Sequence, residues 1–324
     1  MTTYKEIKGT QIEVLSSDPS NPVEGQVWYN STSNVLKGST RTAAGAWATG
    51  GALNSARYAA GGAGTSNSLA LVFGGFPNGP TAATELYNGS NWTEVNDMNH
   101  GRGYIDGTGT TTAALAAGGN SATIATDTQT ELYDGTNWTE VNDLNSGRYN
   151  AGSAGTQTSS LMFGGNGVVA LTESWNGTNW TEVNDLNTAR QGVGGAGASN
   201  TSSLAFGGGT PPNTAITESW NGTNWTEVND LNTARRNLGG TGIQTSALAY
   251  GGRPPNSALT ETWNGTSWTE DNDMNVARGD FASAGPSTSA IAAGGYDGTA
   301  APFNNETEER TGAGAVQTRT FTDS

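Results

Sequence analysis

The chain repeats itself. The string TESWNGTNWTEVNDLNTAR occupies 172–190 and recurs letter for letter at 217–235, with close variants at 84–102, 130–148 and 260–278. Aligned on the second tryptophan of that string, the markers are Trp47, Trp92, Trp138, Trp180, Trp225 and Trp268, spaced 42 to 46 residues apart. Ten residues after each stands an arginine: Arg57, Arg102, Arg148, Arg190, Arg235 and Arg278. A Gly-Gly pair comes 16 or 17 residues beyond each arginine, from Gly74-Gly75 and Gly118-Gly119 to Gly294-Gly295. A Thr-Glu pair follows, ending in Glu85, Glu131, Glu173, Glu218, Glu261 or Glu308. A period in this range marks a solenoid, a propeller or an array, in which a unit too small to bury its own faces stacks on its neighbours.

Within a unit the pattern is that of strands. After the arginine comes a small-residue stretch such as GVGGAGA, then a polar turn, then an apolar run such as SLAFGG. A short apolar run ending in Gly-Gly suits a strand buried on both faces, because a helix needs ten or more residues free of glycine. TESWNG or TELYDG follows, and Asn-Gly or Asp-Gly supplies the turn into NWTEV. Each unit therefore predicts four antiparallel strands, a to d. Closing a stack of such sheets into a ring removes most exposed edges. It also explains why glycine makes up 48 of 324 residues, since innermost strands crowd together where large side chains would clash.

This order of arginine, small-residue strand, apolar strand ending in Gly-Gly, Tyr/Trp strand and tryptophan resembles the kelch-type β-propeller repeat. The likeness covers roughly 57–324, with one more tryptophan strand at Trp47. It implies an all-β fold, a six-bladed (alternatively seven-bladed) kelch-like β-propeller of four-stranded antiparallel blades. Its repeats start near 57, 102, 148, 190, 235 and 278. With six blades, N- and C-terminal strands meet in one blade; with seven, Trp47 begins another. The sixth copy departs from the pattern, because TEERTGAG carries Arg310 where others have Tyr or Trp and no tryptophan follows. The tail AVQTRTFTDS is read as its last strand. Residues 1–25 are read as a short extended N-terminal arm, and 26–324 as the propeller, with 26–56 supplying a hairpin and the closing strand. The wording VEGQVWYNSTSNVLKG, followed by TEXWNGTNWTEV-type units, resembles structural and fibre-type proteins of tailed marine phages, cyanophages in particular. That likeness implies a virion location, with the arm contacting other virion proteins. Assembly as a homo-oligomer is left open.

Charge and composition narrow the function classes. Net charge is −15, and Lys5, Lys8 and Lys37 are the three lysines, so nucleic acid is disfavoured as a partner. Membrane insertion is disfavoured because no apolar run approaches a membrane span. The opening MTTYKEIKGTQIEV lacks the apolar core of a secretory leader, so the chain is expected to begin at Met1. Zero cysteine excludes disulfides, thiolate metal sites and a cysteine nucleophile. His100 is the one histidine and is read as an exposed turn residue, which leaves few general-base options. No cofactor and no metal site are expected. The turn residues Asp97, Asp143, Asp185, Asp230 and Asp273 lack a full calcium-loop pattern and are read as turn formers.

The loops separate by variability. The c–d, a–b and d–a connections are uniform, whereas the b–c loops change: FPNGPTAA, NSATIATDTQ, NGVVAL, GTPPNTAI, RPPNSAL and YDGTAAPFNNE. Diversified loops on a rigid scaffold are where recognition resides. The binding candidates are therefore Phe76, Asn78, Arg253, Tyr296, Asp297 and Phe303, whose aromatics beside polar groups suit a host-surface glycan. The repeated arginines and Thr-Glu glutamates are read as ion pairs within or between blades, and the Tyr/Trp series Tyr87, Tyr133, Trp175, Trp220 and Trp263 as core. The expected function is a non-enzymatic virion protein, a fibre, decoration or tail-tip component that attaches to the host surface. The alternatives are a purely structural virion scaffold and a polysaccharide depolymerase.

Overall fold

The computed structural model describes residues 12–19, 26–41, 45–298, 303–312 and 316–320. The chain divides into two compact units, one of 46–311 and one of 1–45 with 312–324. The regular elements among the described residues are all β-strands, without a helix.

The unit 46–311 contains six four-stranded antiparallel sheets, numbered here one to six along the chain. Sheet three shows the plan: Gly152–Thr156, Ser159–Phe163, Thr172–Trp175 and Trp180–Val183 pair in that order. The first strands of the other sheets are Gly61–Ser66, Asp106–Thr110, Gly194–Ser199, Gly239–Ile243 and Ala282–Ala284. Each packs beside the first strand of the next sheet, and Ala282–Ala284 also packs beside Gly61–Ser66. The architecture is all-β and consistent with a β-propeller.

Burial follows the sequence pattern. Second strands such as Ser202–Phe206 are buried on both faces beyond their first residue. Fourth strands such as Trp225–Val228 bury the tryptophan and expose the following Thr and Glu. A charged edge resists pairing with another chain, which is a sound reason for glutamate there. The c–d turns fold on themselves: Asn176 Oδ1 accepts from the backbone of Thr178 and Asn179, and Gly177 takes a φ of 91°.

The repeated residues join the sheets. Every marker tryptophan donates its indole N–H to the threonine of the Thr-Glu pair in the preceding sheet: Trp92 to Thr307, Trp138 to Thr84, Trp180 to Thr130, Trp225 to Thr172, Trp268 to Thr217 and Trp47 to Thr260, all at 3.0–3.2 Å. The neighbouring glutamate receives the arginine leading into its own sheet, as in Arg190–Glu218 at 2.8 Å and Arg148–Glu173 at 2.9 Å. The remaining pairs are Arg57–Glu85, Arg102–Glu131, Arg235–Glu261 and Arg278–Glu308, all buried. Burial pulls the Arg190 pKa down while Glu218 holds it up. The expected ion pairs thus form within sheets. Losing one partner of such a buried pair costs about 3–5 kcal/mol. Tyr87, Tyr133, Trp175, Trp220 and Trp263 are buried, as read from sequence.

The sixth sheet corrects one expectation. Its fourth strand is Ala46–Thr49, paired with Thr307–Thr311, and not the tail. Val316–Thr320 instead pairs with Val35–Arg41 in the other unit. Trp47 is the reason, because it supplies the indole that fits the threonine of sheet five and the tail has no tryptophan. Arg310, in the ring position of its sheet, is buried with its guanidinium 5.9 Å from the Trp47 ring centre.

In the second unit, Glu13–Leu15, Val27–Asn30, Val35–Arg41 and Val316–Thr320 form one sheet, the first pair parallel. The hairpin read within 26–56 as part of the propeller therefore belongs to this sheet, in the second unit. Part of the expected arm is also built in. Asp18 accepts from Trp28, Asn30 and Lys37, which hold its pKa at about 2. The rest of the arm, 1–11 and 20–25, lies outside the described residues.

Candidate functional site

Two residues after each repeated arginine the chain takes a left-handed turn. The six residues there are Ala59, Tyr104, Asn150, Gly192, Asn237 and Asp280, with φ between 48° and 63°. Their peptide groups hydrogen-bond in a cycle. Tyr104 N–H donates to Ala59 O at 2.7 Å, Asn150 to Tyr104 at 3.1 Å, Gly192 to Asn150 at 2.7 Å, Asn237 to Gly192 at 2.8 Å, Asp280 to Asn237 at 3.0 Å, and Ala59 to Asp280 at 2.6 Å. This collar surrounds a cavity of about 140 Å³ lined by the first strands of all six sheets.

The first residue after each Gly-Gly pair meets the chain one residue beyond the arginine. Tyr58 bridges to Phe76, Gln191 to Gly209, Arg236 to Arg253 and Gly279 to Tyr296. The second glycine of the pair makes this approach feasible, because a Cβ on Gly75 would lie 2.8 Å from Tyr58 O. The b–c and d–a loops thus share one end of the sheets.

At that end five half-buried rings form one group. Tyr58 lies 4.5 Å from Phe303, 5.5 Å from Phe76 and 5.9 Å from Tyr104, centre to centre; Tyr104 lies 5.6 Å from Phe76 and 5.7 Å from Tyr149. The Tyr104 hydroxyl reaches Arg253, and burial raises its pKa. Arg253 sits 5.5 Å from the Tyr296 ring centre, and its Nε is 2.5 Å from Asp280 Oδ2. Asn237 bridges Asp280 and Asn150, the latter at 2.9 Å. Burial raises the Asp280 pKa, while Arg253, Asn237 and Arg236 pull it down.

Of the sequence candidates, Phe76 and Phe303 come together around Tyr58, and Arg253 and Tyr296 form a second pair joined to the first through Tyr104. Asn78 is exposed and Asp297 is half-buried. Tyr58, Tyr104, Tyr149, Arg236 and Asp280 escaped the sequence reading. They follow the last uniform residue of the d–a connection, where the chain reads YA, GY, YN, QG, RN and GD. That abrupt variation after the arginine was the available signal.

One irregularity lies deeper in the cavity. Four sheets pair a first-strand glycine with a second-strand aromatic, as in Gly152 with Phe163, where a Cβ would lie 2.6 Å from the ring. Sheet two pairs Asp106 with Ala117. Asp106 lines the cavity. Its Oδ2 has no hydrogen-bond partner, and burial lifts its pKa to about 7 against the pull of Arg148, Ser153 and the Ala151 backbone.

The turn residues Asp97, Asp185, Asp230 and Asp273 accept from the backbone of the Thr-Glu threonines at 3.0–3.1 Å, and Asp143 from the Thr128 hydroxyl. His100 is exposed, with Glu140 3.4 Å away. No set of three or more metal-ligating side chains occurs among the described residues. Chemically, the face offers ring surface for stacking, amides and hydroxyls for hydrogen bonds, and guanidinium groups for anions. None of the protein-family models compared with the chain matches it, and neither does any curated protein.

Proposed function

We propose that this chain is a non-enzymatic virion protein of a tailed phage, a fibre, decoration or tail-tip component that attaches to host-surface glycan through the collar end of a six-bladed, closed, kelch-like propeller. Three cycles support the closed six-membered reading: neighbouring first strands, tryptophan–threonine bonds and the collar of peptide groups. The observation that carries the functional reading is the group of Tyr58, Phe76, Tyr104, Tyr149 and Phe303. Five partly exposed rings on rigid backbone form a stacking surface for the apolar faces of sugars.

Ala46 and Thr311, where 46–311 begins and ends, are cross-strand partners in sheet six. We assign the other unit the role of anchor to further virion proteins. Its first strand is an edge with Val14 exposed at 67%. A non-enzymatic role fits the glutamates, since the Thr-Glu carboxylates are engaged by arginine and loop asparagine, as Glu218 is by Arg190 and Asn187.

A glycan array with the full-length protein tests this reading. Binding is expected for the wild type and a loss of about tenfold or more for Phe76→Ala, in line with the cost of removing a stacked ring. A silent array favours the scaffold role, and turnover of host polysaccharide overturns the non-enzymatic assignment.

A further inference from the structure

The unit 46–311 contains no lysine, and its arginines fall into two groups. Arg57, Arg102, Arg148, Arg190, Arg235, Arg278 and Arg310 are buried against carboxylates. The other two, Arg236 and Arg253, bridge to each other through their backbones at the collar end. Arg253 keeps 27% of its side chain exposed, and Arg236 is half-buried.

The pair is built with care for its cations. Gly209 leaves room for Arg236, whose Cδ lies 2.9 Å from where a Cβ would stand. Among the described residues the Arg236 guanidinium makes no ion pair and no side-chain hydrogen bond, and Asp280 engages only the Nε edge of Arg253. Two guanidinium groups thus face one carboxylate, in a chain whose net charge is −15. A cation without its own anion, on an otherwise acidic molecule and beside a stacking surface, fits a ligand that brings the anion.

We propose that this face takes an anionic sugar, a residue carrying a carboxylate or sulfate, with its ring on the Tyr104, Tyr58 and Phe76 side and its charge on Arg236 and Arg253. The inference rests on the glycan-attachment reading and narrows it to a substrate class. Tyr104 is the hinge of the arrangement, because its ring touches the aromatic group and its hydroxyl reaches Arg253. A guanidinium fork matches the planar carboxylate edge to edge, and the same N–H groups take sulfate oxygens.

The test is an array of matched neutral, carboxylated and sulfated oligosaccharides, read with the full-length protein at low and high sodium chloride. The expected hits are carboxylated or sulfated members, which of the two identifying the anion. Their signal falls with added salt. Arg236→Ala should lower that signal about tenfold or more, the weight of a charge-assisted hydrogen bond, with an unchanged melting temperature. Arg236→Gln serves as the second variant if the alanine form does not fold. Hits confined to neutral members, or anionic hits indifferent to salt and to both variants, overturn this inference and leave the attachment reading standing. An array with no hits in any class removes both.

Discussion

At the residue scale, the most informative positions are those where one copy of the repeat departs from the others. Asp106 replaces a glycine and Ala117 replaces an aromatic on the strand beside it, where sheet six has Ala282 and Ala293. The sequence displayed both, but their pairing requires the register. Its acid is destabilising when ionised, because the folded protein holds the proton up to about pH 7 while an unfolded chain releases it near pH 4. Stability from this group is full below pH 4 and lost as pH rises through 7. Asp106→Asn should therefore flatten the decline in melting temperature between pH 4 and pH 7, by about 2–4 °C for each kcal/mol removed. Parallel curves for variant and wild type in differential scanning calorimetry would refute the assignment. Other residues were legible for a simple reason: Trp225, Arg190 and Glu218 recur because every sheet needs the same clamp.

At the element scale, strand types and their order were readable because glycine content, apolar runs and Asn-Gly turns each carry a local signature. Strand partnership at the chain ends was readable in part. The tryptophan of Ala46–Thr49 marked it as a closing strand, and Thr307–Thr311 accepts it from about 260 residues away, but the tail competed for the same place. The tail also reads locally as a strand, and only its lack of a tryptophan separates it from Ala46–Thr49. Removing 312–324 should leave the melting of the unit 46–311 within about 2 °C of the full chain. Removing 1–52 strips out Ala46–Thr49 with buried Trp47, a loss of about 3–5 kcal/mol that lowers melting by roughly 10 °C. Thermal scans of the two truncations check both statements, and equal effects would contradict the pairing.

For the whole molecule, the sixth sheet is where the repeat was cut. Arg310 and Trp47 occupy the positions that Trp175 and Trp180 hold in sheet three, where Asn176-Gly177-Thr178-Asn179 joins them. Linking Thr311 to Ala46 by Gly-Thr restores that turn length. A circular permutant of 46–311 made so, with new ends between exposed Asn78 and half-buried Gly79, should retain its near-ultraviolet circular dichroism and melt within about 5 °C of the parent unit. Loss of cooperative melting would show that the ends are not neighbours as their register requires. The candidate site belongs to this scale too. Its rings come from sheets one, two, three and six, and only the assembled unit brings them together, so sequence variability flagged the loops without revealing which would meet.

The collar of peptide groups has a consequence for change over time. It is held by main-chain amides, so alanine, tyrosine, asparagine, glycine and aspartate all occupy it without altering its bonding. What those six positions display is therefore uncoupled from what keeps the rim rigid. New specificities can be written there wherever a left-handed φ and the neighbours permit a side chain, which leaves out Gly192, where a Cβ would lie 2.7 Å from Asn237 Oδ1.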